Sequence, residues 1–256
     1  MPATLNFTDL LRLLDERYAA FRSVIASAPD LDAQVPTCPG WTLFDLAAHI
    51  GEGRRSWAST VAAGPSGTGR VPFSGTPAAP REPEALVEWL AQSCQELLDA
   101  LVETGPDRGC WSWWGDSQTP LTTGAVARHQ LHEISMHTYD AQVAVGGPQP
   151  LPTQIAVDGV EEFLFTCCST TTIAWPHEPA TIDYEVTEGR SWRQHLSVEG
   201  SRITRNDGTE SAAGVRIRGA ASDLMLFLFD RISIETLVID GDRKIVDQVT
   251  TWDWSA

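Results

Sequence analysis

Four side chains that could bind or activate a ligand fall within one short stretch, LHEISMHTYD: His132, Glu133, His137 and Asp140. In a helix each residue turns by about 100°, so His132 and His137, five residues apart, point about 140° away from each other. This excludes the zinc-protease motif, whose two histidines are four residues apart. Glu133 and His137 are four apart and share a face with Asp140. An imidazole and a carboxylate so placed supply two of the three protein ligands of a catalytic metal site.

The third ligand must come from another helix, and His49 in DLAAHIGEG is the candidate. It belongs to a predicted helix whose buried side is defined by Leu43, Leu46 and Ile50. A histidine among apolar neighbours must either be hydrogen-bonded or bind a ligand. Spacing alone leaves two alternatives open. His49 could be a neutral core histidine, and the carboxylate–imidazole pair could lie on a solvated or salt-bridged face.

Composition narrows the classes of partner. The chain has 256 residues, 34 acidic against 18 basic, and a formal charge of −16. Such a surface repels phosphate backbones and anionic lipid, so we expect neither a nucleic-acid nor a membrane partner. No signal peptide or membrane-spanning run is visible, and the odd number of cysteines forms no CxxC pair. We therefore predict a cytoplasmic protein with five free thiols: Cys38, Cys94, Cys110, Cys167 and Cys168.

Hydrophobic periodicity predicts four long amphipathic helices over roughly residues 5–146. Asn6 or Thr8 can cap the first, Thr42 can cap the second, and the fourth runs from about 123 to 145. Residues 64–82 are rich in Gly, Pro and Ser and are typical of a long connection. After another helix, alternating residues in TIDYEV, SWRQHLSV and VRIRG predict strands. The fold class is therefore α+β in two domains, a four-helix bundle over 1–149 and an α+β domain over 150–256.

Several segments together resemble one family. VPTCPGWTLFDLAAHIGEGRRSW, RHQLHEISMHTYDAQVAVGGPQPLPTQIAVDGVEEFL, IRGAASDLMLFLFDR and VIDGDRKIVDQ are similar to the mycothiol-dependent maleylpyruvate isomerase family, a branch of the DinB-like metal-binding bundles. The resemblance covers nearly the whole chain, with the segments in the expected order. It implies a DinB-like four-helix bundle followed by a sterol-carrier-like α+β domain.

The resemblance also implies a divalent metal, usually Zn²⁺, bound by His49, Glu133 and His137. Asp140 matches an acidic position that orients one imidazole. Three protein ligands leave a fourth position open, and in this family the sulfur of mycothiol occupies it. A thiol that binds such an ion is deprotonated and can add to an electrophilic small molecule. The reaction is then either a maleylpyruvate-type cis–trans isomerisation or a net mycothiol S-transfer.

Other residues are assigned to the site with the same family in mind. His129 stands where many relatives carry arginine, and it could be a substitute ligand or a substrate contact. Arg231 is the candidate for gripping a substrate carboxylate, with Arg216 and Arg218 as alternatives. Trp113 and Trp114, with Trp111, could roof the site against water. Tyr139 stands where tryptophan is common and, with Trp113 and Trp114, is a candidate cofactor-binding residue. Packing and surface exposure are the alternatives for the tryptophans and arginines.

Two other functional classes remain open from the sequence. The chain could be a metal-dependent hydrolase or lyase that uses metal-bound water in place of a thiolate. It could also be a non-catalytic binding protein stabilised by the metal. The sequence does not identify the electrophile or the oligomeric state.

Overall fold

The structure, a computed structural model, describes residues 5–72, 78–208 and 212–253 and divides into two compact units. The amino-terminal unit comprises Leu5–Trp113 and Leu121–Leu151. The carboxy-terminal unit comprises Trp114–Pro120 and the chain from Pro152 onward. No helix among the described residues combines the length and apolarity that a bilayer span requires.

The amino-terminal unit is built from four helices of similar length, as the periodicity predicts. They are α1 (Phe7–Ser27), α2 (Leu43–Ala63), α3 (Pro83–Thr104) and α4 (Thr123–Ala144). The most extensive contacts pair α1 with α4 and α2 with α3. Each of α1 and α3 buries one apolar stripe, which includes Leu14 and Phe21 on α1 and Leu90 and Leu97 on α3. This arrangement gives the bundle a core to which α4 also contributes polar residues.

Two helix starts agree with the predicted caps. Asn6 is the cap of α1, and its side chain accepts from the Asp9 N–H at 3.0 Å. Thr42 begins α2 with a reciprocal capping box, in which Asp45 accepts from the Thr42 N–H at 2.9 Å. Both caps satisfy backbone N–H donors that the first helical turn leaves unpaired. They fix the point at which each helix starts.

The predicted 64–82 connection is described in part. It opens with a short 3₁₀ turn at Gly64–Ser66, while residues 73–77 lie outside the described part of the chain. Residues 70 and 71 return to the side of α2, where Thr60 accepts from the Val71 N–H at 3.0 Å. The connection is therefore attached to the helix that carries His49.

The carboxy-terminal unit is a five-stranded sheet with three helices, so the predicted α+β class is confirmed. The strands are β1 (Ala180–Val186), β2 (Arg190–Ser197), β3 (Gly200–Arg205), β4 (Val215–Gly219) and β5 (Val238–Gly241). Their order is β3-β2-β1-β4-β5, with only β1 and β4 parallel. The helices are α5 (Thr153–Cys167), α6 (Ala221–Leu228) and α7 (Arg243–Thr250).

Candidate metal centre

A tight turn before α2 positions two residues of the centre. The Trp41 N–H donates to the Cys38 carbonyl at 3.0 Å, closing a four-residue turn. Gly40 has φ of 85°, a left-handed conformation that glycine adopts without strain, and Pro39 precedes it. Proline followed by a left-handed glycine is the signature of a type II turn. The sequence CPGW thus fixes Cys38 and Trp41 at the two ends of the turn.

The three predicted metal ligands come together in space. One ligand atom from each of His49, Glu133 and His137 lies within 4.8 Å of the other two. His49 Nε2 is 3.5 Å from Glu133 Oε1. The centroids of the two imidazole rings are 5.3 Å apart, with the rings nearly perpendicular. Helices α2 and α4 therefore bring three potential metal-binding atoms close to one another.

The donor set fits a zinc ion. Two imidazoles and one carboxylate form a ligand set found in catalytic zinc sites, with bonds of about 2.0–2.2 Å. Tetrahedral coordination at that length places neighbouring donor atoms about 3.3 Å apart. The 3.5 Å between His49 Nε2 and Glu133 Oε1 is close to this separation. These side chains could hold the ion with only small rotations.

Glu133 is held by a buried polar network. Arg54 is fully buried, and its Nη1 donates to Glu133 Oε2 at 2.8 Å and also to the Gln130 side-chain oxygen. Gln130 Nε2 donates to the same carboxylate oxygen at 2.7 Å. The Arg54 guanidinium lies over the Tyr18 ring, 4.9 Å from its centroid. With Oε2 occupied in this way, Oε1 is the oxygen that faces His49.

The network also keeps Glu133 ionised. Burial raises the pKa of the carboxyl group, but the Arg54 charge and the contact with His49 outweigh it. His129 and His137 act in the same direction, so the pKa of Glu133 lies well below its usual range. An ionised carboxylate is the form that binds a cation.

His137 is oriented by Asp140, which is fully buried. Asp140 Oδ2 lies 2.9 Å from His137 Nδ1. Because an ionised carboxylate can only accept, Nδ1 must carry the proton, and Nε2 is left with its lone pair. Cys38 donates its S–H to the same oxygen at 3.4 Å. The imidazole is therefore fixed in one tautomer and one orientation. Hydrogen-bond partners of metal-binding histidines commonly have this effect.

The exposed fractions of the ligand side chains decrease across the group. They are 36% for His49, 22% for Glu133 and 14% for His137. The Trp41 ring lies 4.8 Å from the His49 ring and 6.5 Å from the His137 ring. The group is thus anchored on the His137 side and open to solvent on the His49 side. A fully buried core position, one of the alternatives for His49, does not agree with the 36% exposure of its side chain.

A second group that could hold an ion shares His137. It consists of Cys38, His137 and Asp140, whose ligand atoms also lie within 4.8 Å of one another. The short His137–Asp140 contact already uses Nδ1 in a hydrogen bond. We therefore regard Asp140 and Cys38 as the outer contacts of the first group.

The sequence comparisons identify the family. The family model described as the mycothiol maleylpyruvate isomerase N-terminal domain matches residues 11–142, more than half of the chain. The chain belongs to this family. The match spans all three candidate ligands and confirms the resemblance predicted from the motifs. A search of curated protein sequences finds no match.

Solved structures agree on the fold. A crystal structure of a mycothiol-dependent maleylpyruvate isomerase is 15% identical, with a TM-score of 0.58, 93% of this chain and 95% of that chain covered. A histidine-to-alanine mutant of such an enzyme is 13% identical, with a TM-score of 0.59 and the same coverage. At this identity the likeness shows a shared fold over both units and no more.

The other residues predicted for the site of this family member lie outside the three-ligand group. His129 lies one turn before Glu133 and contacts Trp113 edge-on, with ring centroids 5.6 Å apart. His129 is not among the ligand groups found in the described residues, so its role as a substrate contact stays a prediction. Trp113 is 51% exposed. Tyr139 leaves α4 about 160° from His137, on a different side of the helix.

Trp114 and the candidate arginines belong to the carboxy-terminal unit. Trp114 is buried, and its Nε1 donates to the Pro120 carbonyl at 3.4 Å. Arg231 is half-buried and donates to the Phe229 carbonyl at 2.6 Å. Arg216 and Arg218 contact Glu185 on the sheet, at 3.4 and 3.5 Å. Their roles toward a substrate stay predictions.

Four residues around the ligands were not predicted from the sequence: Cys38, Trp41, Arg54 and Gln130. The sequence contains features that point to two of them, Gln130 and Arg54. Gln130 precedes Glu133 by three residues and so shares its face. Arg54 lies in a helix otherwise facing the bundle core, and a buried arginine requires an acidic partner. Cys38 and Trp41 approach the site only through the turn that they bracket.

Proposed function

We propose that this chain is a zinc-dependent, mycothiol-dependent isomerase of a maleylpyruvate-type substrate. The observation that carries the proposal is the open ligand group of His49, Glu133 and His137, held on its inner side and exposed on its outer side. Membership in the family and the activity of the enzymes with similar solved structures support mycothiol and maleylpyruvate as the reactants. We place the enzyme in the cytoplasm, where its five free cysteines would stay reduced.

The three side chains would hold the ion and leave one coordination position for sulfur. A bound zinc ion supplies positive charge that stabilises the thiolate form of a thiol at neutral pH. Glu133 contributes a carboxylate kept ionised by Arg54. Asp140 keeps His137 in the tautomer whose Nε2 can donate its lone pair.

The proposed reaction conserves all atoms and electrons. The thiolate sulfur forms a bond to one alkene carbon, the π bond breaks, and the electron pair moves into the conjugated carbonyl as an enolate. Rotation follows about what is now a carbon–carbon single bond. The enolate then expels the sulfur, which restores the double bond in its trans form and returns the thiolate. Protonation of the enolate instead would give a thioether, the product of net S-transfer.

The experiment combines metal analysis with a thiol-dependent assay. Purified protein should contain about one zinc per chain and convert maleylpyruvate to its trans isomer only with mycothiol present. His49→Ala should lose both the metal and the activity. His177→Ala is the matched control, because His177 is exposed in the carboxy-terminal unit. It should retain both.

Other outcomes identify the alternatives. Turnover of an ester or amide without thiol would indicate a hydrolase that uses activated water. A stable mycothiol adduct detected by mass spectrometry would indicate S-transfer. Full zinc occupancy with no turnover of a panel of electrophiles would indicate a non-catalytic protein. Each of these results would contradict the isomerase proposal.

A further inference from the structure

An arginine from the 64–82 connection lies in the same cavity as His49. The cavity has a volume of about 400 Å³ and is lined by His49, Glu52, Gly53, Ser56, Arg70 and Pro72. The four lining residues from α2 are at positions i, i+3, i+4 and i+7, so they form one face of the helix. Arg70 and Pro72 cover this face from the connection. Cavities of this size are typical of small-ligand sites.

Arg70 is held in place by buried hydroxyl groups of α2. Its Nε donates to Ser56 Oγ at 2.9 Å, and Ser56 in turn donates to the Val71 carbonyl at 2.6 Å. Thr60 accepts from the Val71 N–H and donates to the Ser56 carbonyl at 2.8 Å. Ser56 and Thr60 are both buried. The arginine therefore has a fixed attachment, although its side chain reaches the surface.

The outer end of the guanidinium points along α2 toward the metal centre. Arg70 Nη2 lies above Gly53, 3.6 Å from where a Cβ of that residue would be. Gly53 follows His49 by four residues, which is about 6 Å along the helix axis. Within the described part of the chain, Nη1 and Nη2 of Arg70 donate to no protein acceptor. Two parallel N–H donors therefore remain for a ligand about one helical turn from His49.

We propose that Arg70 binds a carboxylate of the electrophilic substrate and so selects unsaturated keto acids over neutral electrophiles. This inference rests on the proposed function, since it assigns the substrate class of the same site. A guanidinium presents a fork that matches both oxygens of a carboxylate. A substrate gripped there would extend over Gly53 toward His49.

The negative charge around the cavity supports a substrate-binding role for Arg70. The chain has a formal charge of −16 and Glu52 lines the cavity, so an anionic substrate needs a local cation. The neighbouring arginines of α2 are already occupied. Arg54 pairs with Glu133, and Arg55 pairs with Glu96 and donates to the Trp89 carbonyl. Arg70 supplies the positive charge on the open side of the centre.

The test compares an acid with its ester on the zinc-loaded protein. The probes are cis-3-benzoylacrylic acid and its methyl ester, an unsaturated keto acid and its neutral analogue. Binding is measured by equilibrium dialysis, and turnover by chromatographic detection of the trans isomer formed in the presence of mycothiol. Arg70→Gln should weaken binding of the acid and raise its KM by about 10–100-fold, as expected for hydrogen bonds to a charged group. Binding and KM of the ester should change less than about twofold.

A second substitution of Arg70 separates the effect of its charge from the effect of its forked geometry, and a distant arginine serves as the control. Arg70→Lys keeps the charge but loses the fork, so it should recover only part of the acid affinity. Arg12→Gln is the control, since Arg12 pairs with Glu16 on the exposed side of α1. It should behave as wild type with both probes.

The outcomes distinguish this inference from the proposed function. Acid binding that depends on Arg70, with no isomerisation of either probe or of maleylpyruvate, would sustain the carboxylate site and reject the isomerase. Turnover of the acid that survives Arg70→Gln with unchanged KM would overturn the role of Arg70 and leave the isomerase standing. Equal affinity of the wild-type protein for acid and ester would also overturn it.

Discussion

Asp140 lies 2.9 Å from His137, three residues earlier on the same helix, through one carboxylate oxygen and Nδ1 of the ring. The carboxylate is fully buried, whereas the imidazole is partly exposed. The contact therefore extends from the interior of the bundle to the open ligand group. It determines which ring nitrogen can face an ion.

This relationship predicts the effect of Asp140→Asn. The amide can still accept from Nδ1 but has no charge, so His137 becomes a weaker ligand. We expect the dissociation constant for zinc to rise about 10–100-fold, the range typical when the hydrogen-bond partner of a metal ligand is replaced. Titration against a competing chelator measures it. Cys38→Ser, which preserves a donor to Asp140, should change the constant much less, and unchanged zinc affinity in Asp140→Asn would contradict the assignment.

Arg54 and Glu133 should be energetically coupled. Replacing Arg54 by Met removes the cation from a fully buried position, so Glu133 loses its ion pair and the Gln130 side-chain oxygen loses its donor. We expect a loss of about 2–4 kcal/mol in the free energy of unfolding of the metal-free protein. Urea unfolding measures this loss. In a double-mutant cycle with Glu133→Gln, the two losses should add to more than the loss in the double variant, and simple additivity would show that the pair is not coupled.

Two glycines on α2 should respond in opposite directions to alanine. A Cβ at Gly51 would lie 1.9 Å from the Trp89 ring of α3, so Gly51→Ala must displace a buried indole. We expect about 1–3 kcal/mol of destabilisation. A Cβ at Gly53 would meet nothing closer than 3.6 Å, and alanine favours the helix by up to about 1 kcal/mol. Thermal unfolding of the two variants tests this, and similar melting temperatures would show that α2 and α3 pack differently.

The cysteines should differ in reactivity. Burial raises the pKa of Cys94 and Cys168 to about 12, so neither is a thiolate at pH 8. Cys38 is half-buried. Brief alkylation of the native protein with iodoacetamide should therefore label Cys38 before Cys94 and Cys168, since the thiolate is the nucleophile. Peptide mass spectrometry measures the order, with urea-unfolded protein as the control in which all five react. Early labelling of Cys94 would contradict the described core.

Much of the site could be predicted from local spacing. Glu133 and His137 share a face because four residues make about one helical turn. The Thr42 cap and the start of α2 follow from Thr and Asp at capping-box spacing. These features depend on residues within one or two turns of each other. The four bundle helices likewise follow from an apolar stripe at helical period.

The sequence determined the helices, the faces of α4 and the α+β character of the second half, since each depends on neighbours along the chain. Tertiary structure decided which groups complete the centre. Arg54 and Glu133 are 79 residues apart, and Cys38 and Asp140 are 102 apart. It also decided that Arg70 lines the same cavity as His49 and that β1 pairs with β4 in parallel. Contacts between distant segments depend on how the helices pack and the loops return, which no local pattern contains.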